Sequence, residues 1–267
     1  MRDSICYHRF PLAGVDAMTA TTTRSFPRHT HDQYGIGIVD SGGHASWSGR
    51  GPVEAGPGHF ITVNPAEVHD GRAIGHRGRS WRILYLDAAL VAEVCTDVLE
   101  HLSATWMFAA PVFADGALRA SFETAFAQAG ADPGDVMAGE TAIVGLLGDL
   151  SVHSTIGKRP EFVNPCIRRA RDRIDEDPSK TVTLVELARE AGMSRYQLIR
   201  GFKRELGLPP HAYLLQRRLA LARRLVRAGR ALAEAAMAAG FFDQSHLSRC
   251  FVRQFGVPPK RYASSAR

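Results

Sequence analysis

Two hydrophobic periods divide this chain. From residue 5 to about 86 the apolar positions fall in short β-favouring runs that include Ile36, Ile38, Phe60, Ile61, Val63, Ile83, Leu84 and Leu86. Gly42-Gly43, Gly49, Gly51-Pro52, Gly56-Pro57-Gly58 and Asn64-Pro65 punctuate them, so strands end and reverse there. Closely spaced short strands with Gly/Pro turns predict a sandwich or barrel, the jelly roll included. From Ala88 to about His153 the period becomes helical. Ala89, Leu90, Ala92, Val94, Val98, Leu99 and Leu102 mark one segment. Leu118, Phe122, Ala125 and Phe126 mark a second, capped by Asp115, and Ile143, Val144, Leu146, Leu147 and Leu150 a third. Phe108 to Asp115, with Pro111, and Pro133-Gly134 separate them. Their Leu/Val stripe either covers the β region or meets a second copy of the chain.

Ser154 to Asn164 reads as a linker, with Gly157 to Pro160 and Asn164-Pro165 as breakers. Cys166 to Asp177 is then a helix, and Asp175 to Thr181 its exit turn. The remainder contains a repeat. Gly192 matches Gly240 at an offset of 48. An offset of 49 then links Leu198 to Leu247, Arg200 to Arg249, Phe202 to Phe251, Gly207 to Gly256 and Pro209-Pro210 to Pro258-Pro259. Two copies are too few for a solenoid or propeller. In the first copy Leu184, Leu187, Ala188 and Ala191 share a helical face, and Gly192 suits the left-handed stop. Ser194 is a good cap for a second helix that buries Leu198 and Phe202 and ends at Gly207 and Pro209. The second copy runs Leu232, Ala235, Ala236, Ala239 and Gly240, then Asp243 as cap, with Leu247, Phe251 and Phe255 buried.

This is a helix-turn-helix pattern, whose second helix enters the major groove of DNA. Its exposed positions are Arg195, Tyr196, Gln197, Ile199, Arg200 and Lys203, then Gln244, Ser245, His246, Ser248 and Arg249. Arg, Gln, Ser and His side chains read or touch bases. A lone polar stripe is equally a solvated face; two copies with one Leu-x-Arg-x-Phe spacing favour the groove. Pro210 to Arg227, anchored by Tyr213, Leu214, Leu221 and Leu225, reads as one 18-residue helix between the copies. Its length of about 27 Å approaches the ~34 Å between successive major-groove faces.

Charge separates the two regions. Residues 1–154 hold 10 Lys/Arg against 17 Asp/Glu, and residues 155–267 hold 23 against 10. The basic half carries the electrostatic footprint of a nucleic-acid binder. Arg217, Arg218, Arg223, Arg224, Arg227 and Arg230 divide between phosphate contacts and solvated charge. Cys6, Cys95, Cys166 and Cys250 are scattered without metal-ligand spacing, which suits a reducing cytoplasm. No signal-peptide pattern opens the chain and no apolar run approaches a bilayer span, so a soluble cytoplasmic protein is expected.

Gly240 to Tyr262, reading GFFDQSHLSRCFVRQFGVPPKRY, closely resembles the DNA-binding signature of the AraC/XylS family of bacterial transcription regulators. The first copy resembles it more loosely. The resemblance implies base-reading roles for Tyr196, Ile199 and Arg200, and for Gln244, Ser245 and Arg249. Tyr196 stands where some relatives carry tryptophan, and Ile199 where a polar residue is common, which leaves the target sequence open. His29-Thr30-His31-Asp32-Gln33-Tyr34 and the segment Pro57 to Gly71 resemble the two sequence blocks of a cupin barrel in its AraC-type effector-binding form. Metal-binding cupins usually add a glutamate shortly after the His-x-His pair; here Asp32-Gln33-Tyr34-Gly35 follows. His29, His31 and His69 suit zinc, iron or manganese as a set, but an organic-ligand pocket with these imidazoles as polar handles is the better reading. Tyr34, Trp47, Asn64, Trp81 and Tyr85 are further pocket candidates, and core or turn roles explain each of them as well.

The expected fold is α+β: a cupin-like β-barrel (jelly roll) with appended helices over residues 1–154, a linker over 155–164, and an all-α DNA-binding domain over 165–267. The last contains two helix-turn-helix units joined by a linker helix. The expected function is a sequence-specific transcriptional regulator, an activator by family prior, whose first domain senses a small-molecule effector. Its partners are a double-stranded DNA operator, the effector, RNA polymerase and a second copy of the chain. No membrane, cofactor, metal or catalytic residue is assigned. Two alternatives stand beside it. One is a cupin-type metal-dependent enzyme or metal sensor fused to a DNA-binding module. The other is an architectural DNA-binding protein.

Overall fold

The computed structural model describes residues 3–49, 51–99, 105–132, 134–157 and 164–265. The chain divides into two units, one running to residue 159 and the other from 160 to 264. The first begins with nine strands: β1 (Ser4–His8), β2 (Val15–Thr22), β3 (Phe26–His29), β4 (Gln33–Ser41), β5 (Gly43–Ser48), β6 (Gly51–Ala55), β7 (Phe60–Val63), β8 (His69–Ile74) and β9 (Arg79–Asp87). Then follow α1 (Ala88–Leu99), β10 (Thr105–Phe108), β11 (Val112–Phe113), α2 (Gly116–Ala127), α3 (Val136–Leu150) and β12 (Ser154–Gly157).

A six-stranded sheet has the order β1-β2-β9-β4-β7-β11, and a four-stranded sheet the order β3-β8-β5-β6. Strand alternation gives the larger sheet two different faces. Tyr34, Ile36 and Ile38 of β4 and Leu84 and Leu86 of β9 form one core with Phe122 of α2 and Ile143, Leu146 and Leu147 of α3. Fully burying a side chain such as Phe122 contributes about 1.5–3 kcal/mol. The helical stripe therefore covers the sheet, which was one of its two expected uses. Trp81 and Tyr85, on the opposite face of β9, meet Phe26, His44 and His31 from the other side. The jelly-roll character holds, but the strands form two facing sheets rather than one closed barrel. Both edges of the smaller sheet carry a proline, Pro27 in β3 and Pro52 in β6. Proline has no N–H to continue a ladder. A register break between Phe26 and His29 bends β3 further.

Two expectations change here. The separator Phe108 to Asp115 contains β11 and the end of β10, and the first linker residues form β12, which pairs antiparallel with β10. Runs of two to four residues are too short for alternation to reveal. Leu102 and the linker residues 158–163 lie outside the described residues.

The second unit is helical: α4 (Pro165–Glu176), α5 (Leu184–Ala191), α6 (Arg195–Leu206), α7 (Pro210–Arg227), α8 (Leu232–Ala238), α9 (Gln244–Phe255) and α10 (Pro259–Ser265). α7 has the predicted limits. Its buried stripe is Tyr213, Gln216, Leu219, Ala222 and Val226; Leu214, Leu221 and Leu225 are half-buried. Tyr213 donates its hydroxyl to the Asp175 carboxylate at 2.9 Å, fixing α7 to α4. Burial raises the Tyr213 pKa, and the Asp175 charge adds to it. No helix among the described residues is long and apolar enough to cross a membrane.

Candidate DNA interface and effector pocket

Each helix-turn-helix unit is built by its caps. α5 opens on a capping box, Thr183 with Glu186, and stops at Gly192 in the left-handed conformation, φ 65°. α6 opens on a second box. Ser194 Oγ accepts the Gln197 N–H at 3.2 Å, and Gln197 Oε1 accepts the Ser194 N–H at 2.9 Å. α9 opens on Asp243, whose carboxylate accepts the His246 N–H at 2.6 Å. α6 buries Leu198, Gly201 and Phe202, and α9 buries Leu247, Phe251 and Gln254.

The opposite faces carry the expected residues. Arg195, Tyr196, Gln197, Arg200 and Lys203 are exposed on α6, and Gln244, Ser245 and Arg249 on α9. Ile199, Ser248 and His246 are half-buried. The His246 ring packs edge-on against Phe241 at 5.2 Å, so it serves the turn as well as the surface. Gln197 likewise splits its amide between cap and solvent. Arg200 lies over the Tyr196 ring at 5.5 Å, with Nη1 3.5 Å from its hydroxyl.

Three of the arginines weighed as phosphate contacts serve the fold instead. Arg217 is ion-paired with Asp175 at 2.9 Å. Arg218 donates to the carbonyls of Pro178 and Lys180 at 2.8 and 3.1 Å, and Arg223 is 5% exposed. Arg224 and Arg230 remain at the surface. Phe242, which no sequence pattern singles out, is 86% exposed in the turn before α9 beside buried Phe241. Its only sequence signal was a second large apolar residue where one suffices for the core.

The β unit brings His29, His31 and His69 together. Their ring centroids lie 4.2, 5.0 and 6.3 Å apart, with Tyr85 5.2 Å from His31. Each Nδ1 lies against a backbone carbonyl: Pro27 at 2.7 Å, Gln33 at 2.8 Å and Glu67 at 3.1 Å. Donation from Nδ1 to those carbonyls leaves Nε2 of each ring as an acceptor. Burial, and then the charge of a neighbouring histidine, lowers the pKa of His29 and His69, so both are neutral at pH 7. Among the described residues no group of three or more His, Cys, Asp or Glu side chains is arranged to hold a metal ion.

The other pocket candidates separate. Trp81 stays between the sheets. Tyr34 lies on the helix-covered face of β4 and donates its hydroxyl to the Trp106 carbonyl at 2.5 Å, because it keeps step with Ile36 and Ile38. Trp47 is 43% exposed, stacked on Arg28 at 4.9 Å, because it is out of step with inward-facing His44. Asn64 is spent on structure. Its Oδ1 accepts the Phe108 N–H at 2.8 Å and its Nδ2 donates to Glu67. In their place the structure adds Arg79 and His44, both buried near Trp81. The available signal for Arg79 was its period-two step with Trp81, Ile83 and Tyr85.

Comparisons with known proteins match both units. Residues 12–147 match a family model described as an AraC-like ligand binding domain, and residues 187–265 one described as a helix-turn-helix domain. The uncharacterized HTH-type transcriptional regulator YbfI of Bacillus subtilis (strain 168) is 26% identical over 230 residues, 84% of this chain and 82% of that protein. The HTH-type transcriptional regulator MtrA of Neisseria gonorrhoeae is 32% identical over 91 residues, 34% of this chain and 30% of that one. Among solved structures, unsaturated fatty acid-bound ToxT from Vibrio cholerae strain SCE256 is similar with a TM-score of 0.59 at 12% identity, covering 93% of this chain and 94% of that one. At that identity the likeness is one of fold.

Proposed function

This chain belongs to the AraC family of transcriptional regulators, and from that premise we propose that it activates transcription in the cytoplasm in response to a small organic effector. The observation that carries the reading is the pair of capped helices, α6 and α9, each presenting a polar and cationic face. Tyr196, Ile199, Arg200, Gln244, Ser245 and Arg249 read the operator, and Arg195, Gln197, Lys203 and His246 support them at its edges. Phe242 adds an apolar contact of the kind a thymine methyl accepts. α7 spaces the two readers for successive major-groove faces.

The effector binds between the two sheets, beside the imidazole cluster and Trp81. ToxT has been solved with an unsaturated fatty acid, and by likeness of fold an organic ligand suits this β unit. Such a ligand alters transcription only by binding two states of the protein with different affinity. RNA polymerase and a second copy of the chain are the protein partners, and no step of this function requires catalysis. Genome-wide footprinting, with and without candidate metabolites of every charge class, tests the reading. Discrete operators whose occupancy responds to a metabolite are expected. Uniform, metabolite-blind coverage of the genome would sink it in favour of an architectural role.

A further inference from the structure

The β unit contains a charge that no described residue answers. Arg79, the first residue of β9, is 1% exposed. Its Nε, Nη1 and Nη2 are all buried without a hydrogen-bond partner among the described residues. Burial lowers its pKa to about 10, which still leaves the guanidinium charged at neutral pH. A buried guanidinium is ordinarily forked onto a carboxylate, and one left unpaired is among the costliest groups a protein interior can hold. The buried carboxylate of Asp16 does not answer it. Asp16 pairs in register with Tyr85 and holds the Gln33 amide at 3.2 Å, and six residues of strand separate Tyr85 from Arg79, about 20 Å.

Arg79 is packed against aromatic and neutral groups. The Trp81 ring lies under the guanidinium at 4.8 Å, so the N–H edge remains free to fork in its own plane. Stacking of this kind offsets only part of a buried charge. His44 sits edge-on to Trp81 at 5.8 Å, and its Nδ1 is also buried without a partner. Burial and the Arg79 charge lower the His44 pKa to about 3, so it adds no second cation. Gly71 supplies the opposite wall without a side chain, and a Cβ there would stand 3.3 Å from Nη2 and 3.4 Å from the His44 ring. Gly71 pairs with Phe26 of the edge strand β3, and the Phe26 ring meets Trp81 at 6.2 Å. Arg79 is the one fully buried positive charge among these groups; Arg24, half-buried, already lies over the Phe26 ring at 5.7 Å. That single buried guanidinium matches a single negative charge on a flat apolar body.

We propose that Arg79 is the anion-binding residue of the effector pocket, and that the effector is a monocarboxylate whose flat apolar body lies against Trp81 and Phe26. This rests on the effector-binding reading above and names the ligand's chemical class.

Thermal denaturation of the full-length chain at constant ionic strength tests it, with phenylacetate and 2-naphthoate as probes and phenylacetamide and 2-naphthamide as their neutral counterparts. A ligand that binds only the native state raises the melting temperature. Phenylacetate is expected to raise it by several degrees and its amide by less than one. Arg79→Met should melt at or above the ligand-free wild type, because an apolar chain of similar length replaces an unpaired charge, and it should lose the phenylacetate shift. Arg79→Lys keeps the charge without the fork and should need at least tenfold more phenylacetate for an equal shift. Equal shifts from acid and amide, a full shift in Arg79→Met, equal potency in Arg79→Lys, or no shift from either carboxylate each overturn the proposal. None of these outcomes touches the effector reading, which stands or falls on whether operator occupancy responds to any metabolite.

Discussion

The two helix-turn-helix units share a sequence pattern but rest on different supports. α6 lies so close to α4 that a Cβ on Gly201 would fall 2.3 Å from Ile167 Cδ1. The repeat places Cys250 at the matching position of α9, where the supports are α10 and α7. Tyr262 of α10 packs against Phe251 at 5.5 Å and Phe255 at 6.1 Å. The turns differ more. Gly192 has open space where its Cβ would be, whereas a Cβ on Gly240 would stand 2.5 Å from the Ser179 carbonyl and 3.0 Å from Arg218 Nε. Arg218 in turn holds the carbonyls of Pro178 and Lys180. The loop after α4, which in sequence is only an exit turn, therefore braces the turn of the second unit. A repeat conserves the local fold of each copy, while the neighbours of each copy decide how much change it tolerates.

The largest test of that difference is a matched pair of substitutions. Both glycines have positive φ, 65° and 78°, so alanine at either costs about 1–2 kcal/mol in backbone strain. Gly192→Ala should stop there. Gly240→Ala adds the clash with the Ser179 backbone, about 1–3 kcal/mol more as overpacking. Urea denaturation of the full chain, followed by circular dichroism at helical wavelengths, reads both. Equal losses would show that the 178–180 loop yields freely and does not brace the turn.

DNA affinity sharpens the comparison next. Arg249→Ala should weaken specific binding by about 1–3 kcal/mol if its guanidinium reaches a base. A phosphate-only contact would weaken all sequences alike and reduce the salt slope by about one. Arg200→Ala should fall in the same range, but Tyr196→Phe should cost less than about 1 kcal/mol, because the ring that carries Arg200 remains. Fluorescence anisotropy on one operator and one scrambled duplex separates these cases. A Tyr196→Phe loss as large as that of Arg200→Ala would make the hydroxyl itself the reader and reverse the assignment within α6.

The helical unit was legible because its signals are local. Ser194, Asp243, Gly192, Gly207 and Gly256 each fix a cap within three or four residues of themselves, and Leu198 and Phe202 declare a buried face at helical spacing. The pocket was not legible in the same way. Period-two alternation tells that Trp81 and Arg79 share a face, and that Tyr34 shares one with Ile36 and Ile38, but not which face meets the second sheet. His29 and His31 were found through their spacing. That no described residue bonds the Arg79 guanidinium depends on what β2, β5 and β8 bring to it, and no window of sequence contains that. For Tyr34 and Trp47 the sequence likewise leaves open which face of β4 and β5 turns inward, and for Asn64 it does not show the bonds to Phe108 and Glu67 that occupy its amide.

The smallest prediction concerns Gln197, where stability and recognition compete for one side chain. Its Oε1 closes the capping box of α6, while α9 achieves its cap with Asp243 alone and leaves Gln244 and Ser245 uncommitted to capping. Removing the amide in Gln197→Ala should cost about 0.5–1 kcal/mol of stability as a lost cap bond. Glutamate is the other residue the box accepts, so Gln197→Glu should change stability by a few tenths of a kcal/mol at most. It exchanges the amide N–H donors for negative charge facing the groove. If Gln197 reads a base, Gln197→Glu changes the preferred operator sequence in a selection experiment while the melting temperature holds. If it only caps, the glutamate variant loses affinity for every duplex alike through repulsion from phosphate, and the preferred sequence stays that of the wild type. The second outcome would confine base reading in the first unit to Tyr196, Ile199 and Arg200, and would make α9, with its polar first turn left uncommitted, the more freely reading helix of the pair.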